Sequence, residues 1–293
     1  TFERPRQLAE CLESLAGLDY PRDRYQVVVV DDQSAVPPEA VVAGFRGRMD
    51  VTLVVQPHGG PAAARNTGAA RATGDYLAFV DDDCTPARDW LRRLAESFAE
   101  APDVAHGGRV VNRLAGNAYS EASQTLVEYV CRYFEGRPGH FFTSNNLAAP
   151  TRTFRAAGGF YDGIVLPAAE DREFCVRWSG LGHRLASAPG AVVFHAHVLD
   201  LRRFWSQHFT YGRGAYYYRR LIALGGHGRV RIEPLSFYAG LVLYPLSRNP
   251  GLRSLRVSLL LALSQLANAS GFFYEVIRPS LAHERPRVRE NLA

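Results

Sequence analysis

The sequence contains no lysine. All 34 basic residues are arginine, a bias better explained by a gene rich in G and C than by function. A GxxxxGK phosphate loop is therefore absent, and GxGxxG is absent as well. Cysteine is scarce. Cys11, Cys84, Cys131 and Cys175 lie far apart and make no CxxC pair. That argues against a zinc ribbon or a secreted disulfide framework and fits reduced thiols in the cytosol. No repeat or low-complexity tract occurs. With 22% charged residues, 26 glycines and 17 prolines, the composition is neither disordered nor fibrous. The 293 residues, 47% of them hydrophobic, suffice for one large core, or for a domain with an appendage.

Charge is divided unevenly. Residues 1–200 hold 20 arginines against 25 acids, whereas residues 201–293 hold 14 arginines against 4. An acidic front half does not suit nucleic acid, so no nucleic-acid partner is expected. A basic, aromatic rear half suits an anionic membrane surface. The one long apolar stretch, residues 255–273, is about as long as a membrane span but includes Arg256, Gln265 and Asn268. It reads as an interfacial or hairpin helix rather than a span. The chain opens at Thr1, without Met or a signal peptide and inside what reads as a loop. The expectation is that a segment ahead of it has been removed or is not included in this sequence.

Hydrophobic periodicity gives the fold class. Pro5 opens a helix in which Leu8, Cys11, Leu12 and Leu15 recur at helical spacing. Four valines at 27–30 read as a strand buried on both faces, and 51–55 as another. A glycine loop at 58–60 enters an Ala-rich helix, and a third strand, 76–80, stops at three aspartates. An amphipathic helix at 87–102 and a strand at 104–111 follow. This alternation predicts an α/β fold with an open, mostly parallel sheet flanked by helices, whose ligands bind beyond the carboxyl ends of the strands. Further on, 117–135 and 170–179 read as helical, 140–150 as irregular or extended, and 191–197 as a strand. From residue 200 the chain reads as helical.

Three clusters could carry chemistry. Asp81, Asp82 and Asp83 would repel one another unless solvated in a plain turn or neutralised by a divalent cation. Mg²⁺ and Mn²⁺ favour oxygen donors shared with a substrate's phosphates, and alternate residues at a strand end can reach one ion together. The turn His58–Pro61 leading to Arg65 is a natural anion site, although taken alone a plain tight turn is the better reading. Glu170 and Asp171 stand before a helix, where acids are also favoured by the dipole alone.

Taken in order, VVVVDDQS, GGPAAARNTGAARATGDYLAFVDDDCTP, AEDREFCVR and FHAH resemble family 2 glycosyltransferases with the GT-A fold, over roughly residues 1–215. The resemblance implies a Rossmann-like sheet at 1–200, with a nucleotide-binding part at about 1–112 and an acceptor part at about 113–200. A helical, basic and aromatic region at 201–293 would lie against a membrane. It assigns Thr1, Arg4, Asp32, Arg65 and Asp82 to the nucleotide-sugar, with Asp31 as the neighbour of Asp32. Asp81, Asp83 and His195 would hold Mn²⁺ or Mg²⁺, with His197 as the alternative to His195, which could instead be a packed histidine. Asp171 would be the catalytic base, and Asn145, Asn146 and Glu170 would meet the acceptor. Arg202, Arg203, Arg219 and Arg220 could hold an anionic or lipid-linked acceptor or form a solvated basic helix. The implied activity is inverting transfer of a sugar, from UDP on family grounds, to a hydroxyl of a glycan or lipid-linked glycan at the cytoplasmic face of the membrane.

Two features depart from the family pattern. Its opening buried strand is missing ahead of Thr1, so the edge of 27–30 is expected to be exposed. Gln207–Tyr211 also does not match the Gln-x-x-Arg-Trp element of processive synthases, which favours transfer of one or a few sugars. Two other classes stay open: a nucleotidyltransferase on a similar sheet, and an inactive nucleotide-sugar-binding or membrane scaffold protein.

Overall fold

The structure, a computed structural model, describes residues 1–163, 168–224 and 233–278. Helix α1 (Pro5–Ala16) buries Leu8, Cys11, Leu12 and Leu15, one stripe at the predicted spacing, and stops at Gly17. Strand β1 (Val27–Asp31) runs parallel to β2 (Val51–Val55), in register from Val27 opposite Val51 to Asp31 opposite Val55. The short helix α2 (Glu39–Ala43) lies on the crossover between them. Next come α3 (Gly60–Arg71), β3 (Tyr76–Phe79), β4 (Cys84–Pro86) and α4 (Trp90–Glu100), which buries Trp90, Leu94 and Phe98 at four-residue spacing. After β5 (Ala105–Asn112), α5 (Ala118–Phe134) starts where the Asn117 side chain accepts from the Tyr119 and Ser120 amides. The chain continues through β6 (Leu147–Pro150), α6 (Thr151–Ala156), α7 (Glu170–Gly180) and β7 (Leu185–His195), and then α8 (Leu201–Leu224), α9 (Leu235–Arg248) and α10 (Leu252–Ile277).

The α/β class holds, but the sheet is mixed rather than mostly parallel. Five strands lie in the order β3-β6-β5-β7-β4, and β1-β2 form a separate pair. Among the described residues, only β1–β2 and β5–β7 are parallel; β3–β6, β5–β6 and β4–β7 are antiparallel. The reason lies in the connections. A parallel return needs a crossover of about a dozen residues or more. The turn from β3 to β4 spans only residues 80–83, so β4 starts at the end where β3 stopped and pairs antiparallel to β7. β6 likewise starts at that end and runs back between β3 and β5.

Alternation along β6 shows how the sheet is covered. Ala148 joins the core formed with α1 and α4, whereas Leu147 and Ala149 join the core under α3, α6 and α7. In the second core Phe79, Phe154, Phe160, Phe174 and Trp178 meet at centroid separations of 5.0–5.4 Å. Such pairs each add about 0.5–1.5 kcal/mol beyond area burial. On the side away from β2, the Thr1 amine donates to the Val30 carbonyl at 2.7 Å, and the Asp32 amide donates to the Thr1 carbonyl at 2.9 Å. The rest of that edge, with Val28 half-buried, faces a slot whose other wall is β3.

The region expected at 201–293 is helical where described; residues 225–232 and 279–293 lie outside the described residues. α8 and α10 cross closely at glycines. A Cβ on Gly212 would stand 1.9 Å from the Asn268 carbonyl oxygen, and one on Gly271 1.9 Å from that of Phe209. Buried Glu275 accepts from Arg213 and, at 2.8 Å, from the Tyr217 hydroxyl. Among the described residues, α10 is the one helix long and apolar enough to cross a membrane, with mean hydropathy 1.3 and 33% burial over its most apolar 18 residues.

Candidate active site

The strand directions converge on one side of the sheet. There the carboxyl ends of β3, β5 and β7 meet the amino ends of β4 and β6, with Phe79 opposite Leu147 and His195 opposite both Cys84 and Asn112. A cavity of about 2680 Å³ runs from the β1–β3 slot across these ends. Thr1, Arg4, Asp32, Arg65, Asp81, Asp82, Asp83, Asn145, Glu170, Asp171 and His195 all line it. Eleven of the twelve residues expected in the site are therefore brought together; Asn146 is not among them.

The three aspartates are neutralised from three directions. Arg65 donates to Asp81 at 2.6 Å and to Glu170 at 3.0 Å, which ties the end of β3 to the first turn of α7. Arg4 donates to Asp82 at 3.2 Å and to Asp83 at 3.0 Å. The His195 Nε2 lies 3.4 Å from Asp83 Oδ1. Burial on its own would raise the Asp83 pKa, but the hydrogen bond and charge of His195, with the Arg4 guanidinium, hold it below the usual carboxylate range. Burial likewise opposes a charged His195, yet Asp83 raises its pKa above the ordinary value. His197, whose ring centre lies 5.2 Å from that of His195, is pushed down to about 4 by burial and by His195. His195 is thus the histidine that touches the aspartates.

This donor set fits a divalent cation. It offers carboxylates and an imidazole, and the buried Asp82 Oδ2 has no hydrogen-bond partner. Asp83 and His195 would be the nearest ligands. Cys84 adds a donor that sequence spacing alone does not single out, because it is one of four isolated thiols. Its Sγ lies within 4.8 Å of the Asp83 and His195 donor atoms.

Asp32 is buried and engaged with the start of α3. It accepts from Gln56 Nε2 at 2.7 Å and from the Gly59 and Gly60 amides at 2.9 Å each, and His58 Nδ1 lies 2.9 Å away. Gly60, at φ 82°, needs the left-handed region that glycine tolerates. Asp32 therefore shapes the turn at the α3 end of the cavity. Its neighbour Asp31 is bonded to Ser34 at 2.5 Å. Phe2 and His58 stand beside the turn with ring centres 5.0 Å apart.

Asp171 sits in the first turn of α7, after Ala169 in a left-handed conformation at φ 75°. Its Oδ1 accepts the Arg172 amide at 2.7 Å. Burial first, and the Glu170 charge second, push its pKa to about 7, against the opposing pull of Arg65. A carboxyl with that pKa takes and releases a proton near neutral pH, as a general base requires. Beside it, α8 contributes Gln207 and Tyr211 to the cavity wall, a contribution the sequence did not reveal. Gln207 Nε2 donates to Tyr211 Oη at 2.6 Å and to Ser123 Oγ at 3.2 Å, which leaves the buried Gln207 Oε1 without a partner. Of the arginines on α8, Arg203 and Arg219 line the cavity, and Arg202 is exposed.

Asn145 has a fraction of its surface open to the cavity; it accepts from Thr143 Oγ1 at 2.8 Å, and its amide faces Cys84 Sγ at 3.7 Å. Asn146 does not fit the acceptor contact expected of it. It is 1% exposed, accepts from Trp90 Nε1 at 2.9 Å, and donates to the Arg109 and Ala191 carbonyls at 3.0 and 2.9 Å. Those bonds join α4, β5 and β7 and leave its amide with no group to offer a substrate.

Comparison with known proteins bears on the family and the fold. The sequence profile of "Glycosyl transferase family 2" matches residues 1–160. The pre-mycofactocin glycosyltransferase of Mycobacterium tuberculosis (strain ATCC 25618 / H37Rv) is 33% identical over 216 residues, covering 71% of this chain and 44% of the relative. The succinoglycan biosynthesis protein ExoM of Rhizobium meliloti (strain 1021) is 44% identical over 100 residues, covering 33% of this chain and 32% of the relative. The chain thus spans less than half the length of these curated relatives. Two solved structures share the fold. The mannosyltransferase PcManGT from Pyrobaculum calidifontis, in complex with GDP-Man and Mn²⁺, superposes with TM-score 0.60 at 21% identity, covering 95% of this chain and 79% of that one. S. aureus TarS 1–349, in complex with UDP-GlcNAc, gives 0.61 at 17% identity, covering 93% and 87%.

Proposed function

The chain belongs to glycosyl transferase family 2, and from that premise we propose that it transfers a sugar, with inversion, from a nucleotide-sugar to a hydroxyl of a glycan or lipid-linked glycan. The observation that carries the reading is the Arg65 bridge. One guanidinium binds both Asp81, in the cation-ready cluster, and Glu170, the neighbour of Asp171, so leaving-group chemistry and base chemistry share one cavity. Asp171 takes the acceptor's proton as its oxygen bonds to the anomeric carbon. The bond from that carbon to the diphosphate breaks, and the nucleoside diphosphate departs with the electron pair. Asp81, Asp83 and His195 would hold Mn²⁺ or Mg²⁺, which supplies a Lewis acid for the developing charge on the diphosphate. Thr1, Arg4, Asp32, Arg65 and Asp82 border the place for the nucleotide and its diphosphate, UDP being the first choice. Asn145 and Glu170 lie on the acceptor side.

Residues 1–200 serve as the catalytic domain in this reading, with 1–112 for the donor and 113–200 for the acceptor. The described part of residues 201–293 completes the acceptor wall through Gln207 and Tyr211 and rests on the inner face of a membrane in this reading. The membrane contact is supported by exposed Leu252, Leu255, Leu259, Leu266, Phe273 and Ile277 on α10, with Arg253 and Arg256 exposed beside them. The deciding experiment is calorimetric titration of UDP, GDP and dTDP with Mn²⁺, repeated with EDTA and with Asp83→Ala. Binding of one nucleotide that needs the cation and Asp83 is expected. A folded protein that binds none of them overturns the reading.

A further inference from the structure

Cys84 has no role in the mechanism proposed above; it packs in the core formed with α1 and α4 rather than lining the cavity, yet its thiol lies beside the same centre. It is fully buried and directly opposite His195 in the β4–β7 ladder, where cross-strand pairs hold their side chains together on one face. Its Sγ, an Asp83 carboxylate oxygen and a His195 ring nitrogen all lie within 4.8 Å of one another. Among the described residues, this is the one group of three such donors. The thiol has only long, weak partners: Asn145 Nδ2 at 3.7 Å and Asp83 Oδ1 at 3.8 Å. Moving it onto an ion would break no strong hydrogen bond.

The chemistry of the three donors differs from that of aspartates alone. Oxygen donors suit Mg²⁺ and Mn²⁺, whereas thiolate, imidazole and carboxylate with a fourth position open form the kind of set zinc takes. Tetrahedral bonds to zinc place sulfur and nitrogen roughly 3.5 Å apart, so side-chain rotation closing the group by about 1 Å would suffice. We propose that Asp83, Cys84 and His195 form a thiolate-containing site for Zn²⁺ that overlaps the place of the donor's cation. On binding, the proton of the Cys84 thiol and any proton on His195 are released to water, and the sulfur stays as a thiolate ligand. Zn²⁺ held in this way competes with Mn²⁺ and stops transfer. That inhibitory consequence rests on the cation role proposed above for Asp83 and His195; the coordination itself does not.

Co²⁺ is the probe, because a thiolate ligand gives it a charge-transfer band in the near ultraviolet. The full chain is titrated with Co²⁺ and then with Zn²⁺, while Mn²⁺ binding is followed separately by loss of the free-ion electron paramagnetic resonance signal. The expected result is a sulfur-to-cobalt band that Zn²⁺ erases and that Cys84→Ser and Cys84→Ala both lose. In these variants Zn²⁺ affinity should fall by roughly 100-fold or more, beyond the roughly 10–100-fold typical of an outer-shell partner, and Mn²⁺ affinity should fall much less. Co²⁺ bound by wild type without the band overturns the proposal, whether or not either variant folds. A band that persists in Cys84→Ser overturns it too, since another cysteine is then the ligand. If Mn²⁺ does not bind but the Cys84-dependent band appears, the zinc site stands and the proposed catalytic cation falls.

Discussion

Replacing Asp171 by Asn should sharply reduce transfer and stabilise the protein, and the second effect should depend on pH. The Asp171 pKa moves from 3.8 to about 7, through burial first and the Glu170 charge second. Between those pH values the folded protein holds a proton that the unfolded chain has released. A raised carboxyl pKa supports the fold at acid pH, and that support is lost as the pH climbs through about 7. The change spans about three pH units at about 1.4 kcal/mol each, so above neutrality the charged Asp171 destabilises by up to about 4 kcal/mol. Asn carries no such charge. At roughly 2 °C per kcal/mol for a chain of this size, the variant should melt some 5–10 °C above wild type at about pH 8, with little of that difference left at about pH 4. Scanning calorimetry across that range reads the difference directly. Turnover by the variant should fall by about 10²–10⁴-fold with nucleotide binding kept, and wild-type turnover should rise through about pH 7. A melting difference that is the same at both ends of the range refutes the burial argument. Undiminished turnover by the variant refutes the assignment of the base.

Asn146→Ala should cost about 2–4 kcal/mol by denaturant unfolding, because Trp90 Nε1 and two carbonyls lose their partner; the acceptor KM should not change. Gly271→Ala should destabilise by about 1–3 kcal/mol, since its Cβ would meet the Phe209 carbonyl oxygen at 1.9 Å; a melting curve identical to wild type would mean that α8 and α10 do not cross there. Tyr211→Phe removes the hydroxyl that accepts from Gln207 and should raise the acceptor KM by up to about tenfold, without moving the nucleotide Kd in calorimetry. Mn²⁺ and the nucleoside diphosphate should each tighten the other by about 5–150-fold, the usual range of coupling between sites; equal Mn²⁺ affinity with and without nucleotide would refute this.

Much of this was legible in the sequence because it depends on pattern. The valines of β1 and the four-residue apolar spacing of α4 each specify an element locally, and the aspartates after β3 mark a strand end. β6 was harder to read, because Leu-Ala-Ala-Pro has little strand propensity of its own. It is a strand because its small side chains fit between β3 and β5, a tertiary fact. The same holds for its direction and for those of its neighbours. Asn145 and Asn146 are identical letters one residue apart, yet one faces the cavity and the other faces Trp90. Only the turn that carries them decides which. Cys84 gains meaning from His195, more than a hundred positions away, and Gln207 and Tyr211 gain theirs from the way α8 returns past α7.

The arrangement of charge explains why the cavity can be stable without a ligand and still bind one. Three adjacent aspartates repel one another, and here Arg4, Arg65 and His195 offset that repulsion. A divalent cation arriving alone must compete with those partners, and a diphosphate arriving alone must compete with the aspartates for the arginines. Arriving together, they exchange partners. In the proposed reaction the aspartates would hold the cation, and the freed Arg4 and Arg65 guanidiniums would turn to the phosphate oxygens, so that most of the lost ion pairs are replaced. A lone ligand lacks that compensation, since breaking a partly buried ion pair exposes both of its members. The proposed requirement for cation and nucleotide together thus follows from the ion pairs of the cavity itself. The long reach of Arg4 and Arg65, each shared between two carboxylates, makes the exchange feasible without rearranging the sheet.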